Sequence, residues 1–259
     1  MRQRLLDAIN NGKISGEVQA IEISYSTPDL SPIVIDHPKL EGVQIIPGTF
    51  MTAEQFNIEI VNAFTQWQLF LNTLYGQYIS LEFTDKKDNP DINIVFNAST
   101  IQLVSLVSAE SFELNLGINW STINASQGPL LLNYVVRGVG MILGVSDTTV
   151  LSPMNPSYLG VNYLSVFNIN ISENGYITIC YLNNYKSIAN NVITIYGVSN
   201  SNTPLIFGCT DVTAENYDPE ATINNGSCLP TVSSNRDART NDALIYYTDN
   251  SSEYFLANN

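Results

Sequence analysis

The residue types that usually carry metal or nucleophilic chemistry are few in this chain. Its 259 residues include one histidine, His37, and three cysteines, Cys180, Cys209 and Cys228. One histidine cannot build a three-ligand zinc site, and any Ser-His or Cys-His nucleophile would need the same residue. His37 lies in a proline-rich loop, where a solvent-exposed histidine is expected. The sequence therefore gives little support for hydrolytic chemistry.

The three cysteines differ in their surroundings. Cys209 and Cys228 bracket a compact polar segment, whereas Cys180 lies in the apolar run 176–181. We therefore expect a disulfide between Cys209 and Cys228 and a buried free thiol at Cys180. A single disulfide points weakly to an oxidising setting.

The composition predicts a folded protein and excludes some partners. Hydrophobic residues make up 44% of the chain and charged residues only 13%, so neutral amides and hydroxyls must wet most of the surface. The net charge of −14 repels phosphate backbones, so we expect no nucleic-acid partner. No window reaches the roughly 18 apolar residues of a membrane span, and the N-terminus lacks the apolar run of a signal peptide.

Periodicity in the first half predicts one strong helix and several strands. Thr52 and Gln55 form a capping box, and apolar residues then recur at helical spacing until Gly76. Alternating or apolar runs of strand length predict β-strands at 19–25, 78–83, 92–96 and 101–107.

The second half predicts a helix over 130–143 that ends at Gly144. Gly138 and Gly140 each cost this helix about 1 kcal/mol relative to alanine, so something other than helix propensity requires them. The Asn174-Gly175 pair between 166–171 and 176–182 predicts a β-hairpin. The pattern over 190–197 is compatible with either a strand or a helix, and the polar residues that follow are typical of a linker.

The segment 135–147 resembles the zinc-binding helix and turn of the matrixin branch of the metzincin proteases, H-E-x-G-H-x-L-G-x-x-H. Gly140, Leu143 and Gly144 match the Gly, Leu and Gly of that motif. The segment 152–158 resembles the family's Met-turn, S-x-M-x-P-x-Y, through Met154, Pro156 and Tyr158. The resemblance extends over about 17–197. It implies an α+β fold with a metzincin-like twisted mixed sheet and two or three helices, followed by a small disulfide-stapled module and an extended tail.

The same resemblance implies an inactive enzyme. The three zinc-ligand positions fall at Arg137, Met141 and Asp147, and the general-base position falls at Gly138. A guanidinium repels a dication, a thioether is a poor zinc ligand, and glycine cannot take a proton. We therefore expect no zinc and no catalytic residue, with Met154 as a hydrophobic floor under the helix. An unrelated α+β domain with an apolar helix and a proline turn remains the alternative.

The segment 208–228 resembles a short G-C-T-D…G-S-C repeat of surface and virion proteins of large viruses, marine phages and secreted bacterial proteins. Four side chains in it offer the hard oxygens that calcium prefers: Asp211, Asn216, Asp218 and Asn224. Calcium is thus a candidate ligand, and no other cofactor is expected. The alternative is that these are turn and capping residues without an ion.

The predicted layout places an inactive matrixin-like domain between short terminal parts. It comprises an N-terminal segment 1–16, the domain 17–198, a linker 199–206, the cysteine module 207–229 and a polar tail 230–259. The inferred function is that of a structural protein of a virus particle, a minor capsid, decoration or tail-associated component that contacts other particle proteins or copies of itself. The alternative is a secreted or cell-surface module that binds peptides at a sheet edge. An active zinc metallopeptidase is the least supported reading.

Overall fold

The structure is a computed structural model. It describes residues 1–30, 35–36, 44–45, 51–96, 102–117, 130–167, 169, 171–197, 206–224, 228–229, 233–236 and 243–246. The chain divides into two compact units, Met1–Asn200 and Ser201–Asn259. Among the described helices, none is long and apolar enough to cross a membrane. His37 and much of the polar tail lie outside the described residues.

The first unit combines helices with a mixed sheet. Its α-helices are α1 (Arg2–Ser15), α2 (Ala53–Tyr75), α3 (Leu130–Ile142), α4 (Tyr163–Val166) and α5 (Lys186–Tyr196), with 3₁₀ helices at Pro156–Tyr158 and Tyr181–Asn184. Its strands are β1 (Gln19–Ser26), β2 (Ile35–Asp36), β3 (Gln44–Ile45), β4 (Ile79–Asp85), β5 (Ile92–Val95), β6 (Val104–Leu106) and β7 (Phe112–Asn115). The second unit contains β8 (Phe207–Gly208), β9 (Ile223–Asn224), β10 (Ser233–Arg236) and β11 (Ala243–Tyr246).

Five strands form the main sheet in the order β4-β1-β5-β7-β6. β6 runs antiparallel to β7, and the other neighbouring strands are parallel. The α+β class and the mixed sheet agree with the sequence prediction, whereas the described residues form five α-helices where two or three were expected. The predicted run 101–107 contributes only the short strand β6, and β7 was not predicted.

Helix α2 is the packing centre of the first unit. The capping box is present, since the Gln55 N–H donates to Thr52 Oγ1 at 3.1 Å and the Thr52 N–H donates to Gln55 Oε1 at 3.0 Å. The predicted apolar stripe is fully buried and consists of Phe56, Ile60, Phe64, Trp67 and Leu71. Phe64 stacks on Tyr25 of β1 with ring centroids 3.9 Å apart, which fixes the helix against the sheet.

The N-terminal segment forms α1, a helix that was not predicted. Arg4 makes a bidentate ion pair with Asp91, with both N–O distances at 2.9 Å. The same carboxylate accepts hydrogen bonds from the N–H and hydroxyl of Ser24. Gly12 packs so closely on the backbone of Tyr78 that a Cβ would overlap it. Segment 1–16 is thus an integral part of the first unit.

The predicted hairpin over 166–182 is wrong in its strands. The turn exists, with Gly175 at φ +78° and a Ser172–Tyr176 backbone hydrogen bond of 3.1 Å. The described residues of 171–182 form no strand, however, and 166 ends the short helix α4. The 190–197 pattern resolves as the end of a helix, α5, which Gly197 terminates.

The residues after this turn are held by side-chain amides of α2 in place of a strand. Four hydrogen bonds of 2.8–3.0 Å join Asn62 to Gly175 O and Ile177 N, and Gln66 to Ile179 O and Tyr181 N. We name Asn62 and Gln66 the amide ladder. Each amide both donates and accepts, as a neighbouring strand would. The extended segment therefore satisfies its backbone without joining the sheet.

Two further amides of α2 cover the outer edge of β4. Asn72 accepts from the Leu81 N–H and donates to the Leu81 carbonyl, both at 2.9 Å. Gln68 accepts from the Phe83 N–H at 3.0 Å. These groups point away from β1 and would otherwise be unpaired. This edge of the sheet is thus occupied by the protein's own side chains.

Candidate functional site

Helix α3 carries the segment that resembles a zinc-binding helix, and its position depends on a close contact at Gly140. A Cβ on Gly140 would lie 2.6 Å from Met154 Sδ and 2.6 Å from Trp67 Cζ2. The Trp67 indole N–H donates to the Val136 carbonyl at 2.7 Å. Gly140 therefore permits close approach of neighbouring elements, which is a reason other than helix propensity for a glycine at this position. Gly144 ends the helix at φ +87°, which explains the second glycine of the motif.

The segment 152–158 lies directly beneath this helix. Met154 is fully buried, and its N–H donates to Ser152 Oγ at 3.0 Å. Asn155 donates to the Val150 carbonyl at 3.1 Å and accepts from the Ser157 N–H at 2.9 Å. The turn is therefore rigid, and Met154 forms an apolar floor under α3. Pro156 and Tyr158 bound the short 3₁₀ helix that follows, with Tyr158 on the surface.

Two of the three positions that the resemblance gives to zinc ligands meet as an ion pair. Arg137 Nη2 donates to both carboxylate oxygens of Asp147 at 2.7 Å. The Arg137 side chain is 12% exposed and that of Asp147 is 51% exposed. Met141 is on the surface at the end of α3. The structure thus brings Arg137 and Asp147 together as opposite charges that neutralise each other.

The position that the resemblance gives to the general base, Gly138, makes a close packing contact. A Cβ on Gly138 would lie 2.5 Å from Leu114 Cδ1, so this part of α3 packs on β7. A guanidinium, a thioether and a glycine do not fit a zinc ion, and the Asp147 carboxylate is already paired. In the parts of the chain that the structure describes, no three His, Cys, Asp or Glu residues are grouped as a metal site would require.

Near the start of α3 lies a carboxylate, that of Glu59, which no sequence motif indicates. Glu59 of α2 is half-buried, and its Oε2 accepts from the Leu132 N–H at 3.3 Å. Burial raises the pKa of Glu59 to about 7, while the hydrogen bond from Leu132 acts in the opposite direction. In the sequence, Glu59 is marked only by being a charged residue next to Ile60, a member of the apolar stripe of α2.

This shift predicts a pH-dependent stability. An unfolded glutamate titrates near 4.5, so between about pH 4.5 and pH 7 the folded state binds more protons than the unfolded state. The contribution of protonated Glu59 to the free energy of unfolding is therefore fully present below pH 4.5. It is lost as the pH rises through 7, and the loss has an upper limit of about 3 kcal/mol. Glu59→Gln should remove this loss in urea unfolding at a series of pH values. The exposed Glu82→Gln should keep it, and parallel pH profiles for Glu59→Gln and the unmodified protein would contradict the assignment.

The cysteine module of the second unit contains the predicted disulfide. Cys209 and Cys228 are bonded with their Cα atoms 4.8 Å apart, and Cys180 is a buried free thiol, as expected. Cys180 Sγ contacts the Gln66 carbonyl, and burial raises its pKa to about 12. A thiol with this pKa carries almost no thiolate at neutral pH, so Cys180 is a packing residue.

The candidate calcium ligands are engaged in local hydrogen bonds. Asp211 Oδ1 accepts from both the N–H and the hydroxyl of Thr213, which lowers the pKa of Asp211. Asn216 Oδ1 accepts from the Leu229 N–H at 2.7 Å, and Asp218 Oδ1 accepts from the Glu220 N–H at 2.9 Å. The side chain of Asn224 lies outside the described part. These are the bonds of turn and capping residues, the alternative that the sequence left open, and calcium stays a prediction.

Breaking the disulfide should unfold the module alone. A staple across a separation of 19 residues stabilises the folded state by about 3 kcal/mol. Cys228→Ser should therefore expose 207–229 to limited proteolysis and leave the thermal transition of the first unit unchanged. Cys180→Ser is the matched control with the disulfide intact. Resistance of the Cys228→Ser module to protease would show that the module folds without the disulfide.

No model of a known protein family matches the sequence, and no curated protein sequence matches it.

Proposed function

We propose that this chain is a non-enzymatic structural protein of a virus particle, a minor capsid, decoration or tail-associated component built on an inactive metalloprotease fold. The observation that carries the non-enzymatic part is the Arg137–Asp147 ion pair. It uses two positions that the resemblance assigns to metal ligands, and it places a positive charge where a dication would bind. The packing of Gly138 on Leu114 explains why that position holds no carboxylate.

The particle role draws on the second unit and on the composition. The 208–228 segment resembles a repeat found in virion and surface proteins, and its disulfide makes a compact module from few apolar residues. A surface wetted mainly by neutral amides and hydroxyls suits a protein that packs among others, because few charges need to be desolvated.

Mass spectrometry of particles purified from a producing culture tests this proposal. We expect the chain at many copies per particle and at the same ratio to the major shell protein after repeated gradient purification. Recovery only from the particle-free supernatant would contradict it. The enzymatic alternative is tested separately, since stoichiometric zinc in the purified protein together with chelator-sensitive peptide cleavage would overturn the non-enzymatic assignment.

A second candidate function is peptide binding at the β6 edge of the sheet. Two hydrogen bonds flank this strand, from Asn115 N to Leu103 O (2.7 Å) and from Val107 N to Ser111 O (2.9 Å). Because alternate residues of a strand bond to the same neighbour, Val104 and Leu106 direct their N–H and C=O groups away from β7. Leu106 is 64% exposed, and residues 102–108 carry no charge to discourage pairing. An extended peptide could therefore add to this edge.

Leu106→Pro tests peptide binding at the β6 edge. Proline at this position removes an outward N–H but no bond to β7, so the fold should persist. A strand-forming peptide selected from a phage-displayed library on the unmodified protein should lose at least tenfold in affinity for Leu106→Pro. The Leu106→Ala control should bind within threefold. Equal binding to both variants would exclude the edge as the peptide site.

A further inference from the structure

Four polar side chains in and beside the region of Tyr163 each bury one atom that has no hydrogen-bond partner among the protein atoms. The unpaired atoms are Asn133 Oδ1, Tyr181 OH, Asn184 Nδ2 and Tyr185 OH. Asn133 and Tyr181 are fully buried, and Tyr185 is 6% exposed. We name these four residues the tyrosine–asparagine cluster. Buried polar groups in folded proteins are normally paired, so four orphans in one region need an explanation.

Three members of the cluster are linked through Tyr163, and the fourth, Asn184, lies one turn after Tyr181 in the same 3₁₀ helix. Its ring centroid lies 6.0 Å from that of Tyr181 and 5.7 Å from that of Tyr185. Asn133 Nδ2 donates to the Leu159 and Val161 carbonyls at 2.6 and 2.9 Å. The Tyr163 N–H donates to the same Val161 carbonyl at 3.1 Å, so Asn133 and Tyr163 share a partner. Helix α3, the segment after Met154 and the 3₁₀ helix at Tyr181–Asn184 therefore meet here.

The chemistry of the unpaired atoms selects a small neutral ligand. Asn133 Oδ1 only accepts, Asn184 Nδ2 only donates, and the two tyrosine hydroxyls do both. None of these groups is ionised at neutral pH, so no charge is offered to a metal ion or an anion. Water carries two donors and two acceptors and typically makes about three hydrogen bonds in a protein interior.

We propose that the tyrosine–asparagine cluster is a binding site for ordered internal water, which bridges Tyr181, Tyr185 and the two asparagines. The water supplies the hydrogen bonds that no protein atom makes. It fastens the 3₁₀ helix at Tyr181–Asn184 to the region around Tyr163, where the described chain between 158 and 185 has no strand. This site is independent of the proposed particle role and does not involve Arg137 or Asp147.

Oxygen-17 magnetic relaxation dispersion, which counts long-lived internal water, tests the site with Tyr181→Phe/Tyr185→Phe. We expect the unmodified protein to hold at least one more long-lived water than the double variant. We also expect Tm to fall by about 2–4 °C for each hydrogen bond lost. Tyr176→Phe, at an exposed tyrosine, is the control that should change neither quantity. An unchanged water count overturns the proposal whatever Tm does, because a dry cluster loses nothing when its hydroxyls are removed.

If the double variant fails to fold, a crystal structure of the unmodified protein at about 1.5 Å resolution decides. Water within hydrogen-bonding distance of both Tyr181 OH and a second cluster atom supports the site. The absence of electron density for a water bonded to Tyr181 OH overturns it.

Discussion

Gly140→Ala should destabilise the first unit by about 3 kcal/mol, in spite of the better helix propensity of alanine. The added Cβ would lie 2.6 Å from both Met154 Sδ and Trp67 Cζ2. Trp67 is fully buried and its indole is hydrogen-bonded to the Val136 carbonyl, so it cannot turn aside without losing that bond. Overpacking of this kind costs about 1–3 kcal/mol, and here two fixed neighbours resist it at once. Urea unfolding measures the loss.

Gly138→Ala is the matched control two residues earlier in the same helix. Its Cβ would lie 2.5 Å from Leu114 Cδ1 and 2.9 Å from Leu114 Cγ, so one fully buried side chain would have to shift. The gain of about 1 kcal/mol in helix propensity should offset part of that strain, and only one neighbouring side chain resists, so the net cost should be about 1 kcal/mol, well below that of Gly140→Ala. Equal destabilisation by the two substitutions would show that the Met154–Trp67 contact does not set the packing of α3.

Gln66→Met should cost about 3–4 kcal/mol because it removes half of the amide ladder at nearly constant volume. The Ile179 carbonyl and the Tyr181 N–H would each lose their partner, and an unsatisfied buried backbone group costs about 1–3 kcal/mol. The extended segment would also lose its register against α2. Thermal unfolding and amide hydrogen exchange at Tyr181 report the two effects.

Gln68→Met, on the same helix, should cost only about 1 kcal/mol. Gln68 is half-buried and accepts one hydrogen bond, from the Phe83 N–H, which solvent can replace in part. If Gln66→Met were as mild as Gln68→Met, the segment after Gly175 would be held by its apolar side chains alone.

The sequence predicted the elements whose own pattern decides their structure. Helix α2 has a capping box, a continuous apolar stripe and a glycine after its end, and all three are present in the structure. The strand predicted over 176–182 was wrong because the backbone partners of this segment are the side chains of Asn62 and Gln66. These residues lie more than 100 positions away in the sequence. Strand propensity cannot reveal that an amide has replaced a neighbouring strand. Helix α1 was missed because only Leu5, Ile9 and Gly12 are buried on it.

In the candidate site, too, features set by the local sequence were predicted and features set by distant contacts were not. The glycines of α3 stood out because they oppose helix formation, and their neighbours Met154, Trp67 and Leu114 supply the reason. The Arg137–Asp147 contact follows from the turn at Gly144, which brings residues ten apart into reach. Glu59 gave no such signal, since its pKa depends on α3 covering it, a contact between distant parts of the sequence.

The side-chain cover on β4 limits how copies of this protein can associate. Asn72 and Gln68 already occupy three outer hydrogen-bonding groups of that strand, at Leu81 and Phe83, whereas the opposite border of the sheet ends in β6. If two molecules paired through their β6 strands, neither would have an unpaired β6 left for a third molecule. Growth by this route stops at a pair with two-fold symmetry, and an open-ended filament would need a different surface.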